Sequence, residues 1–398
     1  MRESDRMSIP HLFRCPISLE LFTDPVTLCT GQTYERSSIE KWLSAGNLTC
    51  PVTMQRLHDP SLVPNHTLRH LIDQWARMGL HLDPHCVHGT DPDPSLVLLR
   101  QNLESDQMTI ASKIKTLKKV RALFEESPHI RSHFLQLGLL PLLLELIFVK
   151  SERRLSCDQL RFVEQGLACV LDLSALGGFE PLNMLKEGPR LASFQDLFEQ
   201  GNNPVKVLMC KLVEMIALSS ETNHLCCILG ESLEILHEIT LLLHGDDEEV
   251  SSAAIMAIQG LSSSEPNREN LVKEGAVEGI IEYILRAEKE MRSSGWTALA
   301  GSTLERLLKV EEGKEALLNH AQGVVTLVRN VFRVSSDQES SESAVNSLMI
   351  MCSGDYSSRA RDEAIDAGVL SQVLLLLQSQ CSSRTKTKAR MLLHLLRS

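Results

Sequence analysis

Two short motifs near the N-terminus carry residue types that bind zinc. Cys15-Pro-Ile-Ser18 and Cys50-Pro-Val-Thr53 have the shape of Cys-x2-Cys knuckles, but a hydroxyl residue replaces each second cysteine. A closed zinc site needs four ligands, and two cross-braced sites need two such sets. The region offers seven candidates at most: Cys15, Cys29, Cys50, His11, His58, His66 and His70. We therefore predict a small domain without metal or cofactor.

A domain of this kind without zinc needs another set of cross-links. We predict hydrogen bonds and ion pairs among six polar residues: Ser18, Glu20, Asp24, Thr33, Arg36 and Thr53. A buried polar group without a partner costs about 1–3 kcal/mol, so this network is expected to be sensitive to single substitutions.

The elements that must position these residues are short. A helix is predicted over residues 38–43, with Trp42 on it, and a second follows Pro64 over residues 65–75. Residues 79–94 contain three prolines and two glycines, which sustain neither a helix nor a central strand. We assign residues 8–78 to a first domain, 79–94 to a linker and 95–398 to a second domain.

The second domain is predicted to be a helical solenoid. A helix that ends in Gly or Ala and is followed by an apolar helix recurs every 42 to 50 residues. The turn positions are Gly138, Gly188, Gly230, Gly275, Ala321 and Gly368. This period is typical of armadillo and HEAT arrays, and glycine suits the sharp, left-handed turn between helices. About six repeats are expected, and the polar stretch 335–342 is predicted to be a loop.

Composition excludes several functions. The net charge is −11, so phosphate-driven nucleic-acid binding is not expected. No apolar run is long enough to span a bilayer, and we expect no transmembrane segment. The 11 cysteines follow no disulfide pattern, which predicts reduced thiols and a cytoplasmic protein with a nuclear or peripheral membrane pool left open.

Residues 8–78 resemble the U-box, the zinc-free relative of the RING finger found in E3 ubiquitin ligases. Six ordered blocks carry the resemblance: Phe13-x-Cys-Pro-Ile-Ser-x-Glu20, Asp24-Pro-Val26, Thr30-Gly-x-Thr-Tyr-x-Arg36, Ile39-x-x-Trp42, Cys50-Pro-x-Thr53 and Pro64-Asn65-x-x-Leu68-x-x-Leu71-Ile72. With the repeats behind it, the chain resembles the plant U-box/armadillo ligases. The fold class implied is mostly α: a small α+β U-box followed by an armadillo-type superhelix.

The resemblance implies a non-covalent mechanism, in which the U-box holds a ubiquitin-charged E2 enzyme beside a substrate lysine. It implies no catalytic nucleophile and an E2 groove formed by Ile17, Leu19, Trp42 and Pro51. In the family a basic or amide side chain often occupies the position of Met54 and contacts both E2 and ubiquitin. Met54 has no donor there; Arg56 is the nearest substitute.

The resemblance also assigns the repeats to substrate recruitment, with signalling or stress-response proteins as the expected class. A homodimer through the U-box is left open. The alternative function is a catalytically weak scaffold that binds partners without ubiquitylating them. The Asn ladder of peptide-binding armadillo proteins is absent: Asp172, Gly260 and Ile350 occupy its positions.

Three further patterns have ordinary explanations. His81, His85, Cys86 and His88 have metal-ligand spacing but lie in the linker. Cys226-Cys227 would suit a thioester-forming ligase, but no local His and acidic constellation supports a nucleophile, and buried helix thiols are the ordinary explanation. The basic residues at 113, 115, 118, 119 and 121 fit a solvated helix face, with a lipid or nuclear signal as the alternative.

Overall fold

The computed structural model describes residues 13–18, 20–57, 59, 61–65, 68, 69, 72, 94–127, 129–149, 154–176, 178–290, 294–332, 338–353 and 357–397. The chain divides into two compact units, with the division at residue 91. The predicted linker lies outside the described residues, apart from Pro94, where the first helix of the second unit begins.

The N-terminal unit combines a three-stranded sheet with one helix. The strands are β1 (Pro25–Thr27), β2 (Thr33–Glu35) and β3 (Val63–Pro64), in the antiparallel order β2-β1-β3. Helix α1 (Arg36–Ser44) follows β2 directly and extends two residues before the predicted start. Gly31 makes the β1–β2 turn at φ 80°, a conformation that side chains other than glycine rarely adopt. Of the second predicted helix, Asn65, Leu68, Arg69 and Ile72 are described; the last three are helical and Asn65 is not.

The core of this unit is small and includes two cysteines. Its buried members are Cys15, Phe22, Val26, Leu28, Tyr34, Ile39, Cys50, Leu57 and Ile72. Phe13, Trp42 and Leu43 pack against them and remain half-buried. Asn65 ties the chain after β3 to the sheet, because its side-chain amide donates to the hydroxyls of Thr27 and Thr33 at 3.3 Å each.

The second unit is a stack of helices. Helices Pro94–Glu104 and Ile110–Glu126 begin it. Six three-helix repeats follow in the described residues, given as first, second and third helix. Repeat 1 has His129–Gln136, Leu139–Ile147 and Cys157–Ser174; repeat 2 has Glu180–Lys186 (a 3-10 helix), Gly188–Gln200 and Asn203–Leu218; repeat 3 has Asn223–Glu231, Leu233–Leu241 and Glu248–Leu261. Repeat 4 has Glu265–Lys273, Ala276–Lys289 and Ser294–Leu307; repeat 5 has Glu311–Asn319, Gly323–Val331 and Gln338–Met351; repeat 6 has Ser357–Asp366, Val369–Gln378 and Ser383–Leu395.

Side-chain caps start several of the third helices. Ser156 forms a capping box with Gln159 in repeat 1, and Asn202 accepts from the Val205 amide in repeat 2. Asp247 caps the third helix of repeat 3. Each cap satisfies an amide that the helix leaves without a partner, so the polar residue fixes where the helix begins.

The predicted turn glycines have two different roles. Gly138, Gly275 and Gly368 adopt the left-handed conformation ahead of a second helix, as expected. Gly230 does not: it lies within a helix, and a Cβ there would come within 2.1 Å of the Asn267 side chain. Gly188 likewise has no left-handed backbone; it is the first residue of its helix.

The loop prediction for residues 335–342 is wrong from Gln338 onward, where the third helix of repeat 5 begins. Its Glu342 carboxylate accepts from Lys388 Nζ at 2.7 Å and pairs with Arg384 Nε at 3.2 Å. Both cations lie on the third helix of the next repeat. Contacts between repeats therefore outweigh the polar local sequence.

Successive third helices pack on one another along the array, and we call the surface that they form the third-helix face. Gly260 allows one close approach, because a Cβ there would lie 3.3 Å from Glu214 Cα in the preceding repeat. Of the helices described, none alone is long and apolar enough to cross a membrane. Ile130–Gln136 and Leu139–Ile147 reach that length only as a pair, bent by 72°.

Candidate functional site

Two loops of the N-terminal unit have the same backbone design. Loop 1 spans residues 13–22 and loop 2 spans residues 48–57, offset by 35 positions. The closing bonds are Cys15 N to Glu20 O (2.8 Å) and Phe22 N to Phe13 O (3.0 Å) in loop 1, and Cys50 N to Gln55 O (2.9 Å) and Leu57 N to Leu48 O (2.9 Å) in loop 2. With this offset of 35 positions, Ile17 of loop 1 is equivalent to Val52 of loop 2.

The buried thiols of Cys15 and Cys50 fix the two loops to strand β2. Cys15 Sγ accepts from the Glu35 amide at 3.3 Å and from the Ile17 amide at 3.4 Å. Cys50 Sγ lies 3.0 Å from the Tyr34 hydroxyl, which accepts from the Val52 amide at 3.2 Å. Both loops are thus tied to adjacent residues of one strand.

The donors around Cys50 change its acidity. Burial alone would raise the thiol pKa, but hydrogen bonds from Thr30, Thr53 and Tyr34 outweigh burial and lower the pKa to about 6. The Tyr34 pKa moves in the opposite direction, well above its ordinary value, because of burial and the bond to Cys50. This cluster stabilises a thiolate without exposing it to solvent.

The predicted polar network is present only in parts. Arg36 Nε and Asp24 Oδ2 form an ion pair at 2.6 Å. Thr33 bonds instead to Thr27 Oγ1 at 3.0 Å. The other three members make local contacts: Ser18 Oγ accepts from the Glu20 amide at 3.4 Å, and Thr53 accepts from the Gln55 amide at 3.5 Å.

Glu35 is not among the six predicted residues, yet its carboxylate provides the main polar cross-link of this unit. Its carboxylate accepts from the Thr23 amide (2.8 Å), the Thr23 hydroxyl (2.7 Å) and the Asp24 amide (3.1 Å). These bonds join the end of β2 to the chain entering β1. Charge-assisted bonds of this kind are stronger than neutral ones.

The residues predicted to bind a partner have different exposures. Ile17 has 37% of its surface exposed, and Pro51 is half-buried. Trp42 is half-buried on α1, and its indole N–H donates to the Thr49 carbonyl at 2.8 Å. Leu19 lies outside the described residues. Trp42 therefore also fastens α1 to loop 2, and its removal would disturb the loop itself.

Loop 2 contributes three apolar side chains that are more exposed than Ile17, and the first of them is Leu48, at 52%. Val52 is 49% exposed and was not predicted; Met54 is 70% exposed. Met54 adopts φ 58°, the one positive value among the described residues other than glycine. Its amide donates to Cys50 O at 2.9 Å, so this left-handed residue closes the turn. Arg56 is exposed and pairs with Thr49 in an isolated bridge.

No three His, Cys, Asp or Glu side chains in the described parts of the chain lie close enough to share a metal ion. His11, His58, His66, His70 and the linker group from His81 to His88 lie outside those parts. The ten cysteines that the structure describes are free thiols.

Family models match both units. The U-box domain model matches residues 9–78, and the model of the plant U-box protein ARM repeat region matches residues 97–398. The chain belongs to the plant U-box/armadillo-repeat family. Two relatives from Arabidopsis thaliana support this: U-box domain-containing protein 26 is 33% identical, with 98% of this chain and 92% of the relative covered, and U-box domain-containing protein 25 is 32% identical with the same coverage.

More distant matches include a relative named as a ubiquitin ligase and solved structures with the armadillo fold. Arabidopsis E3 ubiquitin-protein ligase PUB23 is 27% identical over 98% of this chain and 93% of its own. Computationally designed armadillo repeat proteins for modular peptide recognition superpose with a TM-score of 0.52 at 19% identity, covering 64% of this chain and 99% of theirs. The U-box followed by an armadillo solenoid, predicted from the sequence, is confirmed.

Proposed function

We propose that this protein is an E3 ubiquitin ligase whose U-box docks a ubiquitin-charged E2 and promotes direct transfer to a substrate lysine. The observation that carries the proposal is the pair of hydrogen-bonded loops that expose Ile17 and Val52 at equivalent positions. Exposed apolar side chains on a fixed backbone suit a weak, transient protein partner. The names of the ligase relatives point the same way.

Two thiols, those of Cys50 and Cys226, are unsuited to a covalent enzyme–ubiquitin intermediate. Cys50 has a low pKa, but it is fully buried among its donors and cannot meet the ubiquitin C-terminus. Cys226 is buried in the repeat core, and burial raises its pKa. We assign the U-box an action by proximity and orientation: the E2 carries the thioester, and the substrate amine attacks it.

The repeats are assigned to substrate recruitment, since a stack of third helices offers a long surface for side-chain recognition. We place the activity in the cytoplasm, because free thiols suit a reducing compartment.

A multiple-turnover assay with E1, ATP and a panel of E2 enzymes tests the proposal. Wild-type chain is expected to build ubiquitin conjugates, and Ile17→Ala should reduce them about tenfold, because an anchor of a weak interface is lost. Val63→Ala is the matched control, since Val63 is an exposed apolar residue on β3, outside both loops. Equal activity of wild type and Ile17→Ala would overturn the assignment of the docking surface.

A catalytically weak scaffold is the second candidate, and Met54 favours it. The side chain is exposed where the family often carries a donor, and a thioether cannot bridge E2 and ubiquitin by donation. A chain that binds E2 but builds no conjugates with any member of the panel would establish the scaffold function.

A further inference from the structure

Two adjoining cavities with different linings lie on the third-helix face. The first has a volume of about 400 Å³ and is lined by Leu171, Phe179, Lys211, Glu214, Met215, Leu218 and Ser219. The second measures about 280 Å³. Its charged lining residues are Arg121, Glu164, Lys211, Asp247 and Glu249. Lys211 borders both cavities, so they lie side by side, and we refer to the pair as one site.

The first cavity is apolar and open to solvent. Leu218, the last residue of its helix, has 71% of its surface exposed. Phe179 is held on the other side, because its amide donates to the Glu221 carboxylate at 3.1 Å. A formed cavity with a large exposed leucine is typical of a site that receives an apolar side chain.

An unpaired carboxylate stands at the edge of this cavity. Glu214 is half-buried against the next third helix, where Gly260 permits the close approach. Burial raises the pKa of Glu214, and the Lys211 ammonium opposes that shift. Within the described chain the Glu214 carboxylate has no hydrogen bond or ion pair, so a ligand that supplies a donor would satisfy it.

The charges around the two cavities are mainly negative. Glu164, Glu214, Asp247 and Glu249 carry the acidic groups, against Arg121 and Lys211. Three of these groups are already engaged: Arg121 donates to Gln165 at 3.1 Å, Glu164 accepts from Gln165 at 3.4 Å, and Asp247 caps a helix and accepts from Asn203 at 3.1 Å. Among the described residues, Glu214 and Glu249 are the lining carboxylates without such a bond. The site therefore complements a cation, and the net charge of the chain acts in the same direction.

A comparable acidic cavity elsewhere is less suited to a ligand. It lies between the second helices of repeats 2 and 3, with Glu238 and Glu274 in its lining. Those carboxylates already have partners: Glu238 pairs with Lys206 at 3.6 Å, and Glu274 contacts His237 at 3.2 Å. The site on the third-helix face has both the apolar space and the unpaired charge.

We propose that this site binds a peptide segment with one large apolar side chain beside Arg or Lys. The apolar side chain fills the space between Leu171 and Leu218, and the cation meets Glu214 and the acidic second cavity. Recognition is by side chains, as the missing Asn ladder requires. As the substrate subsite of the ligase, this inference rests on the proposed function, but peptide binding is measured without ubiquitin transfer.

Fluorescence anisotropy with the full chain and four dye-labelled heptapeptides tests the proposal. The peptides carry Trp or Ser at the centre, flanked on both sides by Arg or by Glu. The Trp peptide with Arg flanks is expected to bind at least about tenfold tighter than each of the other three. Equal affinities across the set, or no binding below about 1 mM, would overturn the proposal.

Two variants locate the site. Leu218→Ser and Glu214→Gln should each weaken the binding of the Arg-flanked Trp peptide about five- to tenfold. Leu241→Ser is the control, since Leu241 is exposed on a second helix, away from the cavities. Unchanged affinity in Leu218→Ser would contradict the site. E2-dependent self-ubiquitylation is measured on the same preparations: its absence beside normal peptide binding would refute the ligase function alone.

Discussion

Cys15 and Cys50 hold two loops against adjacent residues of one strand. The Cys15 thiol accepts from the Glu35 amide at 3.3 Å, and the Cys50 thiol lies 3.0 Å from the Tyr34 hydroxyl. The cysteines of the two knuckle-like motifs serve here as hydrogen-bond acceptors. Because β2 anchors both loops, they lose little conformational entropy when a partner binds.

The pH dependence of stability should report on Cys50. Its pKa is about 6 in the folded chain, against an ordinary value of 9.0. Between these values the unfolded chain binds the thiol proton and the folded chain does not, so the stabilisation from Cys50 grows as pH rises and is lost as pH falls through about 6. The difference in free energy of unfolding between wild type and Cys50→Ser should therefore increase from pH 6 to pH 9.

The free energies of unfolding of wild type and Cys50→Ser are measured by urea unfolding of the full chain at each pH. Pulsed hydrogen exchange, carried out at one common pH, reports how much of residues 13–57 is unfolded. Cys29→Ser is the control, because Cys29 is exposed. A difference that stays constant across the range would mean that Cys50 remains a neutral thiol.

Glu35 should be the most sensitive polar residue of the U-box. Glu35→Gln keeps one oxygen for the Thr23 and Asp24 amides, but it removes the negative charge and places an amide donor where the Thr23 hydroxyl now donates. We expect the free energy of unfolding to fall by about 1–3 kcal/mol, with faster amide exchange at both residues. Glu40→Gln is the matched control, since Glu40 is exposed and lies 3.9 Å from Arg36. Equal effects of the two substitutions would show that the Glu35 hydrogen bonds contribute little to the free energy of unfolding.

Two helical glycines of the repeats, Gly230 and Gly188, should respond oppositely to alanine. In Gly230→Ala the new Cβ meets Asn267, whose amide donates to the carbonyls of Cys226 and Leu261. Overpacking there should destabilise the solenoid by about 1–3 kcal/mol. Gly188→Ala meets no atom within 4 Å and should stabilise it by about 0.4–1 kcal/mol. Urea midpoints followed by circular dichroism compare them; a tolerated Gly230→Ala would contradict the packing described.

Met54 is expected to limit ubiquitin transfer. Met54→Arg supplies a donor at an exposed position and should raise the rate of conjugate formation several-fold at equal E2 affinity, as seen by titration calorimetry. Met54→Leu, which has no donor, should leave the rate unchanged. If both variants match wild type, the position makes no contact that matters for transfer.

Much of the U-box followed from motif spacing, whereas its cross-links did not. The block around Trp42 predicted helix α1, and the motifs that begin at Cys15 and Cys50 were recognised as similar to each other. The thiol bonds could not be predicted, because they depend on which residues of β2 face each loop. Glu35 gave no signal, since its partners Thr23 and Asp24 become neighbours only through the pairing of β1 with β2.

In the repeats, the period of 42 to 50 residues predicted the helices, whereas contacts with adjacent repeats determine the roles of individual residues. Gly138 and Gly230 occupy the same place in the sequence pattern, yet one makes a left-handed turn and the other makes room for Asn267 of the next repeat. Glu342 likewise joins a helix within a stretch that composition favours as a loop. Such outcomes depend on side chains about 40 residues away, which a local pattern does not contain.

Single-turnover discharge tests the central claim most directly. An E2 is charged with ubiquitin, E1 is quenched, and the loss of the thioester to free lysine is followed with the full chain added. The account predicts that wild type and Val63→Ala accelerate discharge, that Ile17→Ala does not, and that no reducible ubiquitin adduct of the chain forms. The account would be contradicted if wild type left the discharge rate at that of the E2 alone, or if a ubiquitin thioester formed on one of the chain's cysteines.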